Sequence, residues 1–72
     1  MKTTYQVILQ DGTLASTKHR TVVNAARAMC RVLKELDKVG DHQLANVVAF
    51  DGERERELSQ TENLLLYTEL GI

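Results

Sequence analysis

Seventy-two residues with a formal net charge of −1 and a single cysteine make one small domain, residues 1–72, that has no internal disulfide. A chain this short buries only about 60% of its unfolded surface, so a disulfide, a metal or a second subunit usually supplements the core. The lone Cys30 excludes the first and fits a reducing compartment. His19 and His42 sit in no Cys-x-x-Cys or His-x-x-x-His pattern, so no metal and no cofactor is expected. Self-association is the remaining route. The longest apolar run of the opening MKTTYQVILQ is Val7 to Leu9, too short for a membrane span or a signal-peptide core. A soluble, cytoplasmic protein without membrane contact is the expectation.

The charge is unevenly spread. Residues 1–40 carry seven Lys or Arg against three Asp or Glu, a net +4, and residues 41–72 carry two against seven, a net −5. Such a split serves association through surfaces of opposite sign, or simply reflects which elements are exposed.

In chain order, residues 4–18 read as a β-hairpin. Tyr5, Val7 and Leu9 alternate with polar neighbours, and Asp11-Gly12 is a favoured two-residue turn. A loop of those two residues sets Leu9 opposite Leu14 and Val7 opposite Ser16, with Ile8 and Ala15 as exceptions on the polar face. Residues 22–39 then read as the main helix. Val22, Ala25, Ala26, Met29, Val32, Leu33 and Leu36 share one arc at 100° per residue; Asn24, Arg27, Arg31, Lys34, Glu35 and Lys38 share the other. Thr21 caps its start and Gly40 suits the left-handed stop.

Residues 44–58 repeat the opening theme. Leu44–Phe50 is a strand candidate, Asp51-Gly52 a turn, and Glu53–Leu58 a charge-laced edge strand whose competing reading is a loop. Ser59-x-x-Glu62 has capping-box spacing and opens a final helix from Gln60 to Leu70, with Gly71 as its stop. Leu64, Leu65 and Leu66 are consecutive and therefore diverge by about 100° each, so one sheet face cannot cover them. The helix is either wedged within its own chain or meets another subunit. Sliding the sequence by forty residues superposes Val7 on Val47, Asp11-Gly12 on Asp51-Gly52 and Thr21 on Thr61. Four identities in 24 positions agree with a repeated element order. The fold class expected is α+β: a small ββαββα domain, a four-stranded, largely antiparallel sheet with two helices packed on one face.

No catalytic constellation is apparent, and the protein is not expected to be an enzyme. Cys30 lies among Ala26, Met29 and Leu33, where it serves as a small apolar filler. Glu53, Glu55 and Glu57 alternate with Arg54 and Arg56, which supply counter-charge, and they lack a calcium-loop pattern. The four glycines are isolated, so there is no phosphate-binding glycine loop.

Two binding surfaces remain. Leu64, Leu65, Tyr67 and Leu70 suit a protein interface and suggest a homodimer that meets an unidentified protein partner through its sheet face or charged helix face. The leading expectation is thus a non-enzymatic binding or regulatory module. The alternative is nucleic-acid binding through Lys18, Arg20, Arg27, Arg31, Lys34 and Lys38, of which Arg27 to Lys38 span about 16 Å of helix. Only three aromatic residues are present, which provides little for stacking on bases.

Overall fold

The computed structural model describes residues 3–71. Its elements follow the order β1 (Thr4–Leu9), β2 (Leu14–His19), α1 (Val22–Lys38), β3 (Ala45–Phe50), β4 (Glu55–Arg56) and α2 (Gln60–Leu70). The strands form one sheet in the order β2-β1-β3-β4 with every neighbouring pair antiparallel.

Strand alternation divides β1 between two environments. Tyr5, Val7 and Leu9 stand opposite Ala49, Val47 and Ala45 on the face that carries the helices. Val7 and Val47 are completely enclosed there, each worth roughly 1.5–3 kcal/mol of transfer free energy. Helix α1 supplies the lid: Val22, Ala25, Ala26, Ala28 and Met29 are buried against the strands. The small alanines allow close approach, and Thr21, extended at the N-cap, accepts a hydrogen bond from the Asn24 backbone N–H. Gly40 follows the C-cap Val39 at φ 77°, and its N–H donates to the Asp37 carbonyl. The expected rod is therefore a single unbroken helix with Arg27, Arg31, Lys34 and Lys38 in solvent.

The first hairpin departs from the expected register. The Leu9 N–H donates to the Thr13 carbonyl and the Gly12 N–H to the Leu9 carbonyl, a wider turn than two residues. Ile8, not Leu9, then pairs with Leu14, although Val7 does face Ser16. One residue, Ala15, is left over; it packs against the core, and Leu14 is left 51% exposed. A second irregularity between Tyr5–His19 and Val7–Ser16 leaves Lys18 at φ 65°, the one non-glycine residue with positive φ among those described. A left-handed conformation at a residue with a Cβ costs roughly 1–2 kcal/mol. Two bulges in six residues also bend this edge strand away from pairing with another chain.

The second hairpin is shorter than its sequence suggests, because β4 comprises only Glu55 and Arg56. Asp51 closes the turn, its carboxylate accepting from the Glu53 and Arg54 backbone N–H groups. Arg56 lies opposite Ala49 and so belongs to the helix-bearing face. On the other face Thr4, Gln6 and Ile8 stand beside Phe50, Val48 and Asn46, with no helix over them.

Ser59 and Glu62 form the reciprocal capping box expected, and α2 ends at Gly71 in the left-handed conformation. The helix packs alongside α1, and Leu66 enters the common core.

The β1–β3 ladder contains a local two-fold. Val7 faces Val47, and the forty-residue offset carries Tyr5 to Ala45 and Leu9 to Ala49, exchanging the flanking pairs Tyr5–Ala49 and Leu9–Ala45. The two ββα halves therefore meet symmetrically at the centre of the sheet. No helix among the described residues is long and apolar enough to cross a membrane.

Candidate functional site

Two surfaces gather the residues singled out by the sequence. On α2, the turn that buries Leu66 turns its neighbours outward: Leu64 is 61% exposed, Leu65 48% and Tyr67 48%. Leu70 turns the other way and packs half-buried against the core cluster. Thr68 donates from Oγ1 to the Leu64 carbonyl at 2.8 Å, so its hydroxyl is satisfied within the helix. The result is three exposed apolar side chains, Leu64, Leu65 and Tyr67, fanned over about 160° of the outer side of a helix already anchored by Leu66.

The second surface lies where β2 runs into α1. Lys18 and His19 at the end of β2, Arg20 from the connection, and Asn24, Arg27 and Arg31 from α1 line one open hollow of about 440 Å³. Asn24, Arg27 and Arg31 are spaced three and four residues apart and so share a helix face. Four of the six basic residues singled out, Lys18, Arg20, Arg27 and Arg31, border this one hollow. The other two do not: Lys38 pairs with Glu35 at 3.1 Å, and Lys34 borders a separate hollow with Asp37, Asp41 and His42. A continuous cationic stripe down α1 is thus interrupted by acids in its C-terminal half. Arg27 is itself tied to Glu69 of α2 by a 3.0 Å ion pair.

Among the described residues neither imidazole is hydrogen-bonded to the thiol. His19 shares a 2.6 Å hydrogen bond with Ser16 Oγ, His42 contacts Asp37 at 2.7 Å, and Cys30 is half-buried in α1. Among the described residues no group of His, Cys, Asp or Glu is arranged to hold a metal ion.

Sequence reasoning missed the most strongly perturbed ionisable group. Glu62 accepts from Arg56 at 2.8 and 3.3 Å, from the Tyr5 hydroxyl and from the Ser59 N–H at 2.8 Å. The Arg56 hydrogen bonds, reinforced by those from Tyr5 and Ser59, hold its pKa down to about 2. Burial and the neighbouring carboxylate push the Tyr5 hydroxyl upward, and the Glu62 hydrogen bond raises Arg56. The capping-box spacing marked Glu62 as a helix cap; the links to β1 and β4 depend on tertiary placement. His19 and Asn24 also line the basic hollow; the sequence places Asn24 on the helix face of Arg27 and Arg31, and His19 between Lys18 and Arg20 just before that helix.

The chain is a ββαββα α+β domain that presents an apolar helix surface and a basic hollow. It matches no protein-family profile, no curated protein and no solved structure.

Proposed function

We propose that this protein is a non-enzymatic binding module that forms a homodimer through the outer side of α2 and acts on a protein partner in the cytoplasm. One observation carries the reading: Leu64, Leu65 and Tyr67 all face solvent on a helix whose inward positions are already filled by Leu66 and Leu70. Three large apolar side chains on one short helix are an unfavourable surface for a monomer, and a second copy related by a two-fold would cover them with their own equivalents. Leu70 would sit at the inner margin of that contact. The free thiol at Cys30 supports a reducing location. Eleven residues of helix are about 16 Å long, so the contact is small and micromolar dissociation is expected. Sedimentation velocity tests the reading. A dimer that Leu65→Glu converts to monomer is the expected outcome, and a monomer in both proteins removes it.

A second reading is favoured by the convergence of Lys18, Arg20, Arg27 and Arg31 on one hollow. Here the module binds nucleic acid through that cationic surface. Retention on DNA or RNA should weaken with salt and fall when Arg27 and Arg31 are both replaced by Ala. Retention unaffected by the double change eliminates it.

A further inference from the structure

We infer that the hollow between the β2–α1 connection and the first half of α1 is a seat for a phosphate group, which Lys18, Arg20 and Arg31 hold without reading a base. The inference rests on the nucleic-acid reading above and names the chemistry of its site.

Charge pairing supports it first. Ion pairs neutralise Lys38, Arg56 and Arg27, and Lys34 has Asp37 and Asp41 around its hollow. Lys18, Arg20 and Arg31 have no carboxylate partner among the described residues, and no Asp or Glu lines their hollow. Three unneutralised cations converging from two elements create a local positive potential in a chain whose net charge is negative.

Backbone geometry sets the position of one of the three. Lys18 adopts the left-handed conformation that Gly or Asn occupies more readily, and this bend lies within the basic corner Lys18-His19-Arg20.

The surroundings define the ligand. None of the three aromatic residues lies at the hollow: Tyr5 is engaged by Glu62, Phe50 is on the helix-free face of the sheet, and Tyr67 is on the outside of α2. Arg20 and Arg31 offer forked donors suited to phosphate oxygens, and Lys18 a point charge. Recognition is therefore of phosphate, with base identity unread. About three phosphate contacts on a single strand give a slope near −2 in log affinity against log salt.

The test follows backbone amides by NMR during titration with inorganic pyrophosphate and, separately, with a ten-nucleotide oligothymidylate. Lys18→Asn removes the charge while suiting the left-handed backbone, so it should fold at least as stably as the parent. Arg31→Ala removes a second ligand, and Lys38→Ala is the control outside the hollow. Both probes should shift the amides of residues 18–24 saturably. Lys18→Asn and Arg31→Ala should each weaken both probes about tenfold, with Lys38→Ala unchanged. Pyrophosphate binding without oligonucleotide binding upholds the seat and overturns the nucleic-acid reading. Oligonucleotide binding that survives both substitutions overturns the seat and leaves nucleic-acid binding to another surface. Failure of both probes overturns both.

Discussion

At Glu62 a single carboxylate accepts hydrogen bonds from Tyr5 on β1, from Arg56 on β4 and from the Ser59 N–H that begins α2. The forked pairing with Arg56 fixes direction as well as charge, and only 14% of the Glu62 side chain remains exposed. Its pKa is depressed from 4.5 to about 2, so the ionised form is favoured by folding. The corresponding stability is fully present above about pH 4.5 and is lost as pH falls through about 2. Solvent screening discounts the shift, leaving a contribution of about 2 kcal/mol. Glu62→Gln should therefore lower the unfolding free energy by about 2 kcal/mol at pH 7, and its deficit should shrink toward pH 2. Urea denaturation at pH 7, 4.5, 3 and 2 checks this; an equal deficit at every pH would assign the loss to the cap geometry alone.

At the scale of elements, the two helices achieve stability differently. Helix α1 is amphipathic along its whole length, and its buried positions were legible from the sequence because 3.6-residue spacing separates Ala25, Ala26 and Met29 from Arg27 and Arg31. Helix α2 has no continuous apolar side and is held by its capping box and by Leu66. At protein concentrations low enough to keep the chain monomeric, Leu66→Ala should consequently cost about 3 kcal/mol, whereas Leu64→Ala should change stability by less than about 0.5 kcal/mol. Thermal melts of the two variants compare them directly, and similar losses would mean that Leu64 packs more than its exposure indicates.

Capping signals gave the bounds of α2 because Ser59, Glu62 and Gly71 act locally. The β1–β2 register was not legible in the same way. Asp11-Gly12 permits several turn lengths, and Leu14 and Ala15 offer neighbouring apolar side chains, so one inserted residue decides which of them meets the core. The basic hollow was half legible. Arg27 and Arg31 follow from helical spacing, but the position of Lys18 depends on a bulge, and the loss of Lys34 and Lys38 depends on which acids fold beside them.

At the scale of the whole molecule, a sheet layer and a helix layer make a flat body with Cα extents of 38 × 26 × 15 Å. Both sheet edges resist pairing: β2 is bulged and β4 is two charged residues long. The broad faces and the helices are thus the surfaces left open for the contact proposed on α2.

The central ladder has a further consequence. Its two strands belong to different ββα halves, joined covalently only through the stretch after α1, while Tyr5–Glu62 and Arg27–Glu69 bridge them non-covalently. A chain cut after Gly40 would yield a cationic piece and an anionic piece with complementary edges. Mixed at equal concentration, residues 1–40 and 41–72 should reassemble into the native sheet, and should do so less readily in concentrated salt. The protein would then behave as a split pair, able to report when two tethered molecules come together.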